Sequence, residues 1–300
     1  MSFHVVVGAG PVGRGVAKVL AERGARVRVV SRRGGGPELA GVERVRADAT
    51  DAGSLAEVCS GAAVLYNCAN PLYHRWLTDW PPLAAALLTA AERSGAVLAI
   101  ASNLYGYGPV EGPIDAATPL AATHPKLKLR ADMWREAESR HQAGRIRAVE
   151  VRSSDYVEAN SLLSFAIAKP VRAGKRAFVP CPLDVPHSWT TIADVARTLV
   201  TVAGDERAWG KGWLTPTAPP LTVRELSARY ASAVGAPTPK LSSIPYPVLW
   251  AVGLINPLVR ELRATAYQFQ RPFIVDSSLT ERTFDLAAAP LDAALRAVAT

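Results

Sequence analysis

The segment Val5–Gly36, "VVVGAGPVGRGVAKVLAERGARVRVVSRRGGG", contains a β-branched run, a glycine turn, a helical pattern and a second β-branched run. Gly8, Gly10 and Gly13 form G-x-G-x-x-G between the first run and the helix. In this setting the glycines permit a tight turn, a close approach of the backbone to a pyrophosphate, and close packing of helix on strand. The segment therefore predicts a dinucleotide-binding βαβ unit, with the pyrophosphate at the N-terminus of the helix.

The first half of the chain continues the same alternation. Strands are predicted at 3–7, 26–30, 42–46, 63–66, 97–101 and 146–151. Helices are predicted at 12–23, 54–59, 83–94 and 126–142, the third of them starting after Pro81-Pro82. Strands that alternate with helices predict an α/β fold, here a Rossmann-type doubly wound parallel sheet. Ligands of such sheets bind beyond the carboxyl ends of the strands.

Prolines break this rhythm after residue 168. We expect the Rossmann dinucleotide-binding domain to span 1–168. A smaller C-terminal substrate lobe should comprise 169–190 and 204–300, with a helix at 191–203 that returns to the first domain.

Composition excludes several classes of protein. The formal net charge is +8, but the basic residues are scattered, so no nucleic-acid partner is predicted. No apolar run is long enough to span a membrane, so no membrane association is predicted. Three widely spaced cysteines, and histidines without metal-ligand spacing, predict a cytoplasmic protein without a disulfide framework or a metal site.

The second strand ends in Ser31-Arg32-Arg33, where many dinucleotide-binding proteins carry an acid for the ribose of NAD. Arginine offers several N–H donors to a 2′-phosphate, so the sequence favours NADP(H) over NAD. If both arginines point to solvent, NAD is accepted instead. Asp48 either accepts from the adenine amino group or lies at the start of the helix near Ser54. The predicted cofactor contacts are Gly8, Gly10, Pro11, Val12, Gly13, Ser31, Arg32, Arg33, Asp48, Ala49, Cys68, Ala69 and Asn70.

Later segments extend the pattern along most of the chain. Asn67–Asn70 follows the fourth strand, "ASNLYGYGP" (101–109) the fifth and "VRSSDYVEAN" (151–160) the sixth, before "PHSWTTIADVARTLV" (186–200). In this order the chain resembles the short-chain dehydrogenase/reductase superfamily, in its extended or atypical NAD-dependent epimerase/dehydratase branch. The resemblance implies an oxidoreductase or epimerase that acts on a small carbonyl compound or a sugar-like metabolite. It also implies a homodimer, the common assembly of that superfamily.

The resemblance further implies a Ser or Thr after the fifth strand and a Tyr-x-x-x-Lys pair on the next helix. Ser102 matches the first, but no tyrosine is followed four residues later by lysine. Lys126 and Arg130 have the spacing of the pair instead.

Three alternatives follow for the missing phenol. Tyr105 or Tyr107 replaces it, with a pKa lowered by Lys126 or Arg130. Alternatively, Lys126 transfers the proton or binds an oxyanion, or hydride chemistry is lost and the chain is an NADPH-binding sensor. The predicted catalytic residues are Ser102, Tyr105 and Lys126, and the predicted substrate contacts are Asn103, Tyr107, Asp155 and Tyr156. For Asp155, capping of the following helix is the alternative.

Overall fold

The protein is built on a parallel sheet, in a computed structural model that describes residues 3–255 and 260–298. In this part of the chain the strands are β1 (Phe3–Val7), β2 (Arg26–Ser31), β3 (Val42–Arg46), β4 (Val64–Asn67), β5 (Val97–Asn103), β6 (Arg147–Ser153), β7 (Asp155–Tyr156), β8 (Arg176–Val179), β9 (Trp189–Thr190), β10 (Gly212–Leu214) and β11 (Lys240–Ser243). Seven of the described strands form the central sheet in the order β10-β6-β5-β4-β1-β2-β3, with every pair parallel. Two smaller sheets pair β7 with β9 and β8 with β11.

Helices cover both faces of the central sheet. The α-helices up to residue 255 are α1 (Pro11–Glu22), α2 (Ala52–Val58), α3 (Trp76–Ser94), α4 (Pro125–Gln142), α5 (Ala168–Arg172), α6 (Ile192–Ala203), α7 (Val223–Val234) and α8 (Tyr246–Ile255). Side chains of α1 and α6 share one buried cluster with the sheet, and side chains of α2, α3 and α4 share the other. The predicted Rossmann-type doubly wound sheet is therefore confirmed, and the strand order changes direction between β1 and β4, where ligands of such sheets bind.

The start of α3 differs from the prediction. The sequence places the start after Pro81-Pro82, but the helix begins at Trp76 and both prolines lie inside it. Trp76 and Trp80 are 3% and 1% exposed, and Trp76 Nε1 donates to Pro71 O at 3.0 Å. Proline removes backbone donors from a helix interior. Burial of two tryptophans in the first turns offsets that loss.

The C-terminal part of the chain contributes both to the central sheet and to a separate buried cluster. Strand β10 lies within the range predicted for the substrate lobe, yet it pairs with β6 at the edge of the central sheet. Helix α6 returns to α1, where a Cβ added at Gly15 would lie 3.1 Å from Ala196 Cβ. Other residues after 156 form a separate buried cluster around Leu163, Leu226 and Tyr230. No described helix has the length and apolarity that a membrane crossing requires.

Asp194 joins α6 to the C-terminal segment. Its carboxylate is 1% exposed and accepts from Thr191 Oγ1 at 2.8 Å and from the backbone N–H of Ala289 at 3.0 Å. Arg197 Nη2 lies 2.5 Å from the same group. Burial raises the pKa of Asp194, and these donors oppose that shift. The carboxylate therefore needs all its partners to remain ionised in this place.

We expect Asp194→Asn to lower the free energy of unfolding by about 2 kcal/mol, because the new amide N–H group faces donors. Chemical denaturation followed by far-UV circular dichroism measures the change. Asp292→Asn is the control, since its ion pair with Arg229 is about half exposed and such pairs contribute little. Equal losses in the two variants would contradict the role given to Asp194.

Candidate active site

A cleft of about 1350 Å³ opens at the carboxyl ends of β1, β2, β4, β5 and β6. It begins at the glycine turn, passes Ser102 and reaches the region around Trp250 and Phe269 in the C-terminal part of the chain. The fold thus brings the glycine turn to the same continuous cavity as Ser102 and Tyr105, two of the three predicted catalytic residues.

Each glycine of the turn meets a different constraint. Gly8 has φ +108°, and a Cβ there would lie 2.6 Å from Cys68 O. A Cβ on Gly13 would lie 1.9 Å from Gly8 O, so glycine at this position permits α1 to pack closely against the turn. Gly13 does not line the cleft. Gly10 has no described atom within 4 Å of its added Cβ, and it does line the cleft. The open space above Gly10, beside the start of α1, fits the pyrophosphate of a dinucleotide.

The two arginines that follow β2 differ in their position relative to the cleft. Arg32 is exposed and lines the cleft, whereas Arg33 is exposed and lies outside the lining. Asp48 also lines the cleft, and hydrogen bonds from the backbone and hydroxyl of Thr50 lower its pKa, with a smaller contribution from Arg32. Asp51 caps α2, so the alternative of a helix-start role for Asp48 is wrong.

The other predicted cofactor residues line the same wall. They are Pro11, Val12, Ser31, Ala49, Cys68, Ala69 and Asn70. Cys68 is buried, and burial raises the pKa of its thiol to about 12. It is therefore a neutral packing residue beneath the turn.

Ser102 and Arg130 form a hydrogen-bonded pair on the cleft wall. Arg130 Nη2 donates to Ser102 Oγ at 3.0 Å and to Ala101 O at 3.2 Å. The guanidinium lies 4.5 Å from the centre of the Trp80 ring, and the side chain is 5% exposed. Burial lowers the pKa of Arg130, but arginine remains protonated in proteins. The pair therefore places a fixed positive charge behind the serine hydroxyl.

Lys126 lies one turn before Arg130 but does not reach the cleft. It is 3% exposed, forms an ion pair with Glu261 and covers the Tyr73 ring at 4.3 Å. The spacing along the helix predicted Arg130 as its neighbour, whereas the observed partner is Glu261. An ammonium held in this way is poorly placed to transfer a proton to a ligand in the cavity.

Tyr105 lines the cleft, but the prediction that its pKa is lowered is wrong. Burial raises the pKa of Tyr105 well above its ordinary value, and nearby Tyr73 and Asp155 raise it further. Its ring packs 5.7 Å from that of Trp76. Tyr105 therefore stays a neutral phenol.

Tyr107, the other candidate phenol and a predicted substrate contact, is 1% exposed and lies outside the cleft lining. It belongs to a buried apolar cluster with Leu104 and Phe273. Its hydroxyl accepts from Arg152 Nη1 at 2.9 Å. Tyr105 and Tyr107 lie at the two ends of a short turn, with Tyr105 in the cleft wall and Tyr107 in the buried cluster.

Three predicted substrate contacts do line the cleft: Asn103, Asp155 and Tyr156. Asn103 Oδ1 accepts from the Tyr105 backbone N–H at 3.1 Å, which fixes the turn after β5. Burial raises the pKa of Tyr156. Asp155 Oδ2 lies 2.9 Å from His187 Nε2, and this pairing replaces the alternative of a helix cap.

Three features of the site were not predicted from the sequence: His187, Glu261 and the packing of Arg130 on tryptophan. His187 has a weak signal, since it lies two residues before Trp189 in a short strand-like segment. Pairing of β7 with β9 places Asp155 opposite Trp189, so the two-residue strand period brings His187 to the same side. That pairing joins residues 32 apart in sequence, which no local pattern reveals.

The sequence pattern of the NAD-dependent epimerase/dehydratase family matches residues 4–209. The chain belongs to this family. The match includes the glycine turn, Ser102 and the strand that carries Asp155, so the predicted resemblance and the predicted enzyme class are confirmed at the level of the family. Comparison with curated protein sequences gives no match.

Solved structures of other proteins share the fold along nearly the whole chain. MoeE5 in complex with UDP-glucuronic acid and NAD is 17% identical, with a TM-score of 0.76 over 99% of this chain and 97% of that one. UDP-glucose 4-epimerase from Brucella ovis in complex with NAD is 15% identical, with a TM-score of 0.78 and coverage of 99% and 97%. dTDP-glucose 4,6-dehydratase from Bacillus anthracis in complex with NAD is 14% identical, with a TM-score of 0.78 and coverage of 99% and 95%.

Proposed function

We propose that this member of the epimerase/dehydratase family is a nicotinamide-dependent oxidoreductase or epimerase. When bound, the nicotinamide supplies or accepts a hydride. The supporting observation is the Ser102–Arg130 pair, which lies in the same cleft as the glycine turn. In this proposal the pair binds the oxygen of the reacting carbonyl.

The hydrogen bond between Arg130 and Ser102 determines what the serine can donate. Arginine has N–H donors and no acceptor, so Ser102 Oγ accepts from it and the serine hydroxyl proton points elsewhere. That proton is then available to a substrate oxygen in the cleft. Donation from a charged guanidinium also polarises the hydroxyl, which strengthens its own hydrogen bond. As negative charge develops on the substrate oxygen, Arg130 and Ser102 stabilise it together.

The residues around the cleft support binding of a nicotinamide dinucleotide. Gly10 leaves open space beside the start of α1, and Arg32 lies at the adenosine end. The three similar structures are described as complexes with NAD. For this chain we propose a preference for NADP(H), because Arg32 offers charged donors to a 2′-phosphate.

Arg32→Ala should weaken NADPH binding by about 20-fold and leave NADH binding nearly unchanged, since one charge-assisted hydrogen bond is lost. Fluorescence titration of both reduced nucleotides measures the two affinities. Arg33→Ala is the matched control, because Arg33 lies outside the cleft lining. Equal affinity of the wild type for NADH and NADPH would contradict the preference.

The part of the cleft wall that comes from the C-terminal part of the chain favours a small, partly apolar substrate. It includes Leu162, Phe165, Leu249 and Phe269. The C-terminal segment offers three arginines to a nucleotide-sugar pyrophosphate, Arg260, Arg263 and Arg271, and of these only Arg263 lines the described cleft. Its Nη2 donates to Trp250 O at 2.5 Å. We therefore propose a small carbonyl compound as substrate in preference to a nucleotide sugar.

The test combines binding with turnover. Calorimetry with NADH, NADPH and their oxidised forms should show binding, and nicotinamide absorbance should then fall with one class in a panel of aldehydes, ketones and nucleotide sugars. Absence of binding would overturn the proposal.

Tight binding without turnover across the panel would instead favour a nucleotide-binding sensor. The confinement of Lys126 by Glu261 is the observation that favours this second candidate.

A further inference from the structure

The cleft contains a polarised serine, but Lys126 and Arg130, at the family's proton-transfer positions, and the nearby Tyr105 are all unsuited to proton transfer. Arg130 does not release its proton at neutral pH. Lys126 is buried in an ion pair with Glu261. Tyr105 is a neutral phenol whose pKa burial raises well above its ordinary value. Reduction of a carbonyl to an alcohol still requires a proton for the oxygen, so another group must supply it.

Asp155 and His187 form a second hydrogen-bonded pair on the cleft wall. His187 Nε2 lies 2.9 Å from Asp155 Oδ2, and His187 Nδ1 lies 3.1 Å from the backbone O of Gln268. The imidazole is 1% exposed, whereas the Asp155 side chain is 30% exposed and lines the cleft. The pair thus has a buried end and an end that faces a ligand.

The surroundings of His187 prevent its ring from turning to other partners. The ring stacks on Phe269 at 4.5 Å with an interplanar angle of 1°, and it lies 4.6 Å from Trp189. The backbone of His187 forms bridges to Leu221 and to Phe273. Both ring nitrogens are therefore held towards the two oxygens described above.

A count of protons shows what the pair holds. A carbonyl oxygen only accepts, so His187 Nδ1 must carry a hydrogen to bond Gln268 O. A neutral imidazole has one N–H, which leaves Nε2 without a proton opposite a carboxylate oxygen. Two acceptors at 2.9 Å repel unless one of them is protonated. Both contacts are therefore hydrogen bonds only when a second proton lies on His187 Nε2 or on Asp155 Oδ2.

Neutral donors surround the exposed end of this pair. Tyr73, Tyr105 and Tyr267 lie near enough for the charge of Asp155 to raise the pKa of each phenol, in addition to the larger effect of burial. Tyr73 and Tyr105 also line the cleft. Since these phenols stay protonated, Asp155 is the acidic group of the cluster that can exchange a proton with a ligand.

We propose that Asp155 is the acid–base residue of the reaction and that His187 is the positioning residue that holds its proton. This inference rests on the proposed function and names the group that replaces the missing phenol. In the reducing direction a hydride adds to the carbonyl carbon, and the C=O π pair moves to the oxygen. That oxygen forms an O–H bond as the O–H bond of Asp155 breaks, and the electron pair stays on the carboxylate. Where the second proton lies on His187 Nε2, it moves to Asp155 before this step. After the transfer the pair keeps only the proton of His187 Nδ1, and it takes up a new second proton from water before the next reduction. The reverse reaction runs through the same atoms.

The first test does not depend on activity. In protein labelled with ¹⁵N in histidine and ¹³C in the aspartate carboxyls, NMR at neutral pH should show a second N–H on His187 or a protonated Asp155. Asp155→Ala should abolish this second proton and leave one N–H on the ring, and the His187→Asn spectrum assigns the signals. A wild-type ring with one N–H beside an ionised Asp155 would overturn the proposal.

The second test is kinetic. Asp155→Asn should lower kcat about 100-fold, within the range for loss of a general acid, without changing the nucleotide affinity. Formate should restore part of the activity of Asp155→Ala, because this small carboxylate fits the space left and can accept the proton of His187 Nε2 in place of Asp155. His187→Asn should lower kcat with little change in KM, and formate should not rescue it. Asp205→Asn, with its partner Arg207 at the surface, is the control.

Failure of this inference and failure of the proposed function give different results. A wild type that binds no nicotinamide nucleotide removes the proposed function. A wild type that binds and turns over, alongside an Asp155→Asn variant with the wild-type kcat, refutes only the role of the Asp155–His187 pair.

Discussion

Gly10→Ala should weaken nicotinamide nucleotide binding roughly 300-fold, which corresponds to about 3.4 kcal/mol, and leave the fold intact. The φ of Gly10 is −73°, which alanine adopts freely, and an added Cβ meets no described atom within 4 Å. The methyl group therefore enters only the open space of the cleft. That space is where the backbone of such a turn must approach a pyrophosphate. Calorimetry measures the affinity, and thermal unfolding should match the wild type.

Gly13→Ala is the matched variant with the opposite expected result. Its Cβ would lie 1.9 Å from Gly8 O, so α1 must move away from the turn. We expect a loss of about 3 kcal/mol in the free energy of unfolding, as for other overpacked sites. Nucleotide affinity should fall only through the displacement of the turn, because the added methyl group does not enter the cleft. If Gly10→Ala binds nucleotides as the wild type does, the turn does not hold a pyrophosphate.

The sheet was predictable because its signals are local. Strands β1, β4 and β5 are nearly continuous apolar runs, as expected for strands covered on both faces, and glycine or helical patterns separate them. Strand β10 was missed because it has only three residues and because its pairing with β6 joins distant parts of the chain. The early start of α3 was missed because two prolines are a stronger local signal than buried tryptophans, whose packing depends on the rest of the fold.

The candidate site was predictable only in its first half. The glycine turn and Arg32 directly follow strands and Ser102 lies at the end of one, so strand order places them at one edge of the sheet. The partners of Lys126 and Asp155 are Glu261 and His187, which lie 135 and 32 residues away. Side-chain spacing on one helix predicted Arg130 as the neighbour of Lys126, yet Arg130 turns to Ser102 because Trp80 supports its guanidinium there. Long-range partners of this kind emerge only from tertiary packing.

Ser102→Ala should lower kcat about 1000-fold and change KM little, since the hydroxyl is proposed to bind the substrate oxygen most strongly as negative charge develops on it. The variant also leaves Arg130 Nη2 without its 3.0 Å acceptor, although its bond to Ala101 O remains. The fold should therefore be retained. Steady-state kinetics with the substrate class found in the panel, together with nucleotide affinity, measures the effect.

Ser227→Ala is the control for removal of a buried hydroxyl. Ser227 is fully buried in α7, bonds Val223 O at 2.7 Å and lies outside the cleft lining, so its loss should change stability and not kcat. Arg130→Met should reproduce the kcat loss of Ser102→Ala in part, because it removes the charge that polarises the hydroxyl but keeps the hydroxyl itself. A double variant no worse than Ser102→Ala would show that the two side chains act as one unit. Wild-type kcat in Ser102→Ala would instead place the substrate oxygen elsewhere in the cleft.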